Sequence, residues 1–338
     1  MALAHTQNPA IQVLGRINSG HQDLVHDVKF DHFGTSLATC SSDHLIKIFQ
    51  VTKDEGGAPT FTHTADLKGH DDAVWQVSWA FPLHGTVLAS CGYDKKVIVW
   101  RQEGNQWMVL YEYLNDCPVN CVAFAPFDLG RLMLACGASD GTIIILASRD
   151  DGSWGVTKIP NAHALGVMAV SWGDPFFMPV NGKRGETTTA RLATGGCDNC
   201  VKIWRENGEN GPWLEENRLD GHSDWVRDVA WRINRLFEHT TVVSASQDRR
   251  VLIWRHDGHT GWVRDTLKTF DDVPWTLSFS PTGSSLGVFW GTNSMTIFRE
   301  SNGQWTAITE TPSDEDSEAA VDQEGKTSDG RRSYNDQQ

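Results

Sequence analysis

An all-β architecture of six repeated four-stranded units is what this sequence predicts, because three series of residues recur in the same order along it. In the first series an aromatic closes a short alternating segment: Phe30 (HDVKF), Trp79 (WQVSW), Phe124 (NCVAF), Trp172 (MAVSW), Trp231 (RDVAW) and Phe279 (TLSF). In the second, a β-branched run ends at Phe49, Trp100, Leu146, Trp204, Trp254 and Phe298, in steps of 51, 46, 58, 50 and 44 residues. An Asp stands six positions before five of these ends, at Asp43, Asp94, Asp140, Asp198 and Asp248, with Thr292 in the sixth place. The third series follows a Gly-containing turn and comprises Phe61, Trp107, Trp154, Trp213, Trp262 and Trp305.

Each unit therefore reads as four short strands. In the fifth they span residues 225–231, 241–246, 250–255 and 261–267, separated by turn residues and rich in the β-branched and aromatic side chains that fit a pleated surface. Units of this length, with a Gly-His pair before the first strand and an aromatic ending the third, stack radially as blades of a β-propeller. The chain divides into an N-terminal extension, 1–17, a six-bladed propeller, 18–309, and an acidic tail, 310–338.

The pattern resembles the WD-repeat family over about residues 20–309, although the Trp-Asp dipeptide itself is Trp-Arg or Phe-Gln here. That resemblance implies one hydrogen-bonded chain inside each blade, running from turn Asp to His, to a Ser or Thr on the second strand, to the third-strand Trp. The implied clamps are His70, Ser90, Asp94 and Trp100 in unit two; His163, Thr194, Asp198 and Trp204 in unit four; and His222, Ser244, Asp248 and Trp254 in unit five. Buried polar groups would thereby be satisfied. Unit one keeps His21, Thr39 and Asp43 but ends in Phe49, which has no N–H; unit three has Cys136 and Leu146; unit six lacks both His and Asp. Units three and six are expected to be held mainly by packing.

Bulk composition excludes several classes. A formal charge of −14, of which the tail from Glu310 carries −6, lacks the basic stripe of a nucleic-acid or membrane-surface binder. The first residues offer no apolar signal-peptide core, and no run approaches a membrane span. Seven Cys, an odd number, read as free thiols, and Cys197-Asp-Asn-Cys200 has no second ligand pair to complete a metal site. No metal or cofactor is expected. The tail has almost no apolar content and is expected to be disordered.

Catalytic readings fail on context. His222-Ser223-Asp224 are chain neighbours, whereas a relay gathers its members from separated segments. Gly283-Ser-Ser285-Leu-Gly287 matches a nucleophile elbow in spelling but falls in a hairpin slot, the one occupied by Asp31–Cys40 in unit one. His256-Asp-Gly-His259 lies in a turn with the wrong spacing for a helical metal site, and no phosphate-cradling or dinucleotide motif is present. No enzyme is expected.

Individual segments are similar to one WD-repeat family in particular. Gly221–Trp231 (GHSDWVRDVAW), His26–Asp43, Ala162–Val167 and Ser246–Trp254 resemble the Sec-thirteen family. The resemblance implies an open six-bladed propeller in the outer cage of the COPII vesicle coat and in the Y-complex of the nuclear pore. It would sit on the cytoplasmic face of the endoplasmic reticulum and its vesicles, and at the nuclear envelope. In both settings an α-solenoid partner, a Sec-thirty-one-like coat subunit or a Y-complex nucleoporin, would insert a blade. Every unit carries its own four strands, so the chain ends need not lock the ring, and strand addition at the opening is one expectation. Candidate partner residues are Ile11, Val13 and Ile17 in the spare strand-like segment, and Trp75, Trp225, Arg227 and Trp275 early in first strands. A WD-repeat adaptor reading peptides or degrons through its central face at Trp75, Arg227 and Trp275 is the rival of another class; a nucleoporin paralogue is the rival of the same architecture.

Overall fold

The computed structural model of the chain describes residues 17–173, 179–180, 183–184, 189–208, 210–232, 239–256 and 261–310. Six antiparallel sheets of four strands follow one another in chain order. They comprise Val25–Phe30, Ser36–Ser41, Leu45–Lys53 and Pro59–Lys68 in blade 1, and Val74–Trp79, Val87–Gly92, Lys96–Glu103 and Gln106–Leu114 in blade 2. Blade 3 is Val119–Phe124, Met133–Ala138, Ile143–Ser148 and Trp154–Ile159. Blade 4 is Val167–Trp172, Arg191–Gly196, Cys200–Glu206 and Trp213–Asp220. Blade 5 is Val226–Trp231, Thr240–Ser246, Arg250–His256 and Trp262–Thr269, and blade 6 is Pro274–Phe279, Ser285–Trp290, Ser294–Ser301 and Gln304–Glu310. A two-stranded hairpin, Pro179–Val180 with Lys183–Arg184, projects between the first two strands of blade 4.

The middle strands are apolar on both faces because each blade is packed on two sides. In blade 2, Val87, Ala89, Cys91, Val97 and Val99 face blade 3, while Leu88, Ile98 and Trp100 face blade 1. The period of two sends alternate residues to opposite interfaces. Each of the five junctions between successive blades has its own apolar cluster. Among the described residues no comparable cluster joins blade 6 to blade 1, and their first strands do not pack together as all other neighbouring first strands do. The ring is open.

First strands line the central channel and carry side chains that reach across to the next blade. Asp27 accepts from the Val77 N–H at 3.2 Å, Gln76 from Val122 at 2.7 Å, Ser171 from Trp231 at 2.9 Å and Asp228 from Leu277 at 2.7 Å. Every first strand also has a β-bulge after its first residue, which leaves one residue unpaired: His26, Trp75, Asn120, Met168, Arg227 and Trp275. A bulge re-aims its extra side chain, here toward the neighbouring blade at the channel mouth.

Candidate functional site

The clamps form as one repeated geometry. His70 Nδ1 lies 2.9 Å from Asp94 and its Nε2 lies 2.8 Å from the Ser90 hydroxyl, to which the Trp100 indole N–H donates at 2.9 Å. In blade 4, His163 meets Asp198 at 2.7 Å and Thr194 at 2.8 Å, and Trp204 donates to Thr194 at 2.9 Å. In blade 5, His222 meets Asp248 at 3.0 Å and Ser244 at 2.8 Å, with Trp254 donating to Ser244 at 2.9 Å. Blade 1 keeps His21 between Asp43 at 2.9 Å and Thr39 at 2.9 Å, with Phe49 in place of the indole.

A left-handed residue after each Asp (His44, Lys95, Asn199, Arg249) tightens the turn, so the carboxylate also accepts backbone N–H groups. Asp248 accepts from Ser223 and Arg250 N–H, both at 2.9 Å, and from the Arg250 guanidinium. Burial alone would raise the Asp248 pKa, but the bond from His222, the Ser223 N–H and Arg250 outweigh it and hold the carboxyl well below the ordinary range. Asp94 and Asp198 are lowered by the same opposition of burial and donors. The His must slide under the end of the second strand, which explains Gly196: a Cβ there would stand 2.2 Å from His163 Nδ1. Replacing Trp254 by Phe, the state found at Phe49, removes the donor to Ser244, and the melting temperature should fall by an amount matching about 1 kcal/mol.

The neighbours His222, Ser223 and Asp224 thus have separate partners. His222 is a clamp, the Ser223 N–H donates to Asp248, and Asp224 accepts from the Trp225 N–H at 2.7 Å. His163, Asp198 and Cys200 do come together. There the thiol donates to Asp198 at 3.1 Å, and burial with that acceptor pushes the Cys200 pKa up to about 12, so the group acts as a hydrogen-bonding clamp member. Residues 257–260, with His259, lie outside the described residues.

Two features departed from the sequence pattern. Blade 6 has a bond of its own, Trp290 N–H to Thr296 Oγ1 at 3.1 Å, with Trp on the second strand and hydroxyl on the third. Trp225 is not the counterpart of Trp75 and Trp275: it precedes the strand, and Arg227 holds the bulge position that those two hold. Arg227 lies between the rings of Trp225 and Trp275, 5.1 Å from each centroid, while Trp75 packs on His26 at 4.5 Å. The bulge residues join neighbouring blades in pairs at one channel mouth, where a guanidinium between indoles contributes about 1 kcal/mol.

The opening exposes what every other junction buries. Val28 occupies the same register as Val77, Val122, Val170, Val229 and Leu277, each opposite the clamp position of its second strand. Those five are 0–9% exposed, yet Val28 is 49% exposed and Phe30, two residues on, 55%. On the other side, Phe289 at 45% holds the register of the fully buried Ala245. Ile17, on the approach to blade 1, is exposed, and Ile11 and Val13 lie outside the described residues. The surfaces at the opening are the faces of the blade 1 and blade 6 sheets, each of four strands in chain order.

With this geometry in hand, comparison with known proteins gives a consistent answer. The "WD domain, G-beta repeat" family model matches residues 12–50, 60–101, 155–205 and 214–255. "Protein SEC13 homolog" of Drosophila melanogaster is 45% identical over 308 residues, covering 88% of this chain and 84% of that one. The chain belongs to the SEC13 family. Two fungal members named as protein transport proteins agree: that of Emericella nidulans is 40% identical over 88% of this chain and 98% of its own. That of Cryptococcus neoformans is 38% identical over 87% and 96%.

Proposed function

We propose that this chain is a non-enzymatic structural subunit of protein transport, a rigid propeller that stiffens an α-solenoid partner by receiving a blade from it. The observation that carries the reading is the exposed face of Val28 and Phe30, with Val28 in a register that is buried in the five other blades. Apolar area contributes about 25 cal/mol per Å² when removed from water, so covering these exposed side chains favours association. The occupant fits as a small sheet, packed face to face at about 10 Å from each wall. The names of the SEC13 relatives support a place in secretory traffic. The finer assignment is to the COPII outer cage, with a Sec-thirty-one-like subunit as partner, at the cytoplasmic face of the endoplasmic reticulum and its vesicles. The nuclear-pore Y-complex, with a nucleoporin donating the blade, is a second setting for the same geometry.

Co-expression with a Sec-thirty-one-like subunit tests this. A soluble complex is expected in which amide exchange of residues 25–30 and 286–290 slows markedly. If deleting the partner's inserted sheet leaves binding intact while Trp75→Ala with Trp275→Ala abolishes it, the adaptor reading through the central face replaces the scaffold.

A further inference from the structure

We infer that the partner filling the opening extends beyond it in one direction, over the turns of blades 1, 2 and 3, through an apolar segment laid on an aromatic ladder at that end of the channel. This rests on the reading of the opening as a partner site.

The ladder is built from the turns between first and second strands. His32 of blade 1 packs edge-on against Phe81 of blade 2 at 4.6 Å, and Phe81 stacks on Phe127 of blade 3 at 4.3 Å. Phe33 and Leu83 flank it and are 70% and 72% exposed. Isolated exposed apolar side chains need no explanation, but a contiguous aromatic run across three blades does.

The turn itself does not require these residues. Blade 6 has the same turn, with Ser280 N–H to Ser285 O and Gly283 N–H to Ser280 O matching Asp31 N–H to Ser36 O and Gly34 N–H to Asp31 O. Gly34 and Gly283 share a left-handed φ of 69° and 68°. Where blade 1 carries His32-Phe33, blade 6 carries Pro281-Thr282, whose hydroxyl lies 2.8 Å from Ser284. One backbone thus presents an apolar surface on one side of the opening and a polar one on the other.

Continuity and asymmetry together choose the occupant. Phe30 lies in the exposed face of the opening and, with His32 and Phe81, also lines the channel end. Phe33 follows it three positions on, and His32 between them packs on both Phe33, at 5.3 Å, and Phe81, so aromatic rings lead from the opening to the ladder. A segment leaving the opening across blade 1 stays on apolar ground, whereas one crossing blade 6 meets hydroxyls. An amphipathic helix of the solenoid, apolar on the facing side, suits a groove of this kind.

The test uses the full chain with a co-expressed full-length Sec-thirty-one-like subunit. It compares wild type with Phe33→Thr/Leu83→Ser, the first change copying the turn of blade 6. Expected are slowed amide exchange at both 25–30 and 80–85 in the wild-type complex, and affinity about tenfold weaker in the variant, or about 1.4 kcal/mol, the size of a contributing interface contact short of a hot spot. Protection of 25–30 alone, with unchanged variant affinity, overturns the inference and leaves the opening as the partner site. Absence of protection at both places overturns the two readings together.

Discussion

Val28→Asp is expected to abolish partner binding while leaving the propeller folded, and Val229→Asp is expected to unfold it. The two valines share one register position. Val229 is 4% exposed inside the cluster between blades 4 and 5, so a carboxylate there loses its hydration with no partner, a loss of about 3–5 kcal/mol or more. Val28 is 49% exposed, so the same carboxylate stays hydrated in the free protein, and stability should remain within about 0.5 kcal/mol of wild type. On insertion of a partner sheet the charge is buried unpaired, and the same physics now acts on binding. A loss of about 3–5 kcal/mol corresponds to a dissociation constant raised more than a hundredfold. Calorimetric titration with the partner and thermal melts of both variants measure the contrast. Val28→Asp binding within threefold of wild type would remove the opening from the interface.

That exposure could not be read from residue types. HDVKF looks like its buried counterparts because the same chemistry serves a packed face and a face awaiting a partner. What was legible was the count of units: six, each with its own four strands, none split between the chain ends. The clamps were legible because an Asp, a His, a hydroxyl and an indole at fixed offsets have few other ways to satisfy each other inside a sheet. Blade 6 escaped the pattern because Trp290 and Thr296 exchange strands while making the equivalent bond. The bulge positions were illegible for another reason. His26, Trp75, Asn120, Met168, Arg227 and Trp275 share a backbone irregularity and no side-chain chemistry. Trp225 was grouped with Trp75 and Trp275 by residue type, whereas the backbone pairs Arg227 with them.

Loss of a clamp carboxylate should be strongly destabilising. Asp248→Ala removes the acceptor for His222, for the Ser223 and Arg250 N–H groups and for the Arg250 side chain in one step. A buried pair broken from one side costs about 3–5 kcal/mol. Asp140→Ala in blade 3, where the residue is exposed and accepts from the Thr142 N–H, should cost about 1 kcal/mol. The acid limb gives a second readout. Asp94, Asp198 and Asp248 have folded pKa values below the unfolded value of about 3.9, so their contribution is present above that pH. It is lost as pH falls through the folded values. The difference in stability between wild type and Asp248→Ala should therefore narrow below about pH 4. Asp228 runs the other way. Burial in the channel wall raises its pKa to about 6 against the Leu277 N–H and Lys29, so its protonated form favours the fold and that contribution fades as pH rises through 6. Asp228→Asn keeps an acceptor for the Leu277 N–H but cannot ionise, and so should be more stable relative to wild type at pH 7 than at pH 5. Melting temperatures of the three variants between pH 3 and pH 8 separate the two groups, because the clamp effect should appear below about pH 4 and the channel effect should develop between about pH 4 and pH 6.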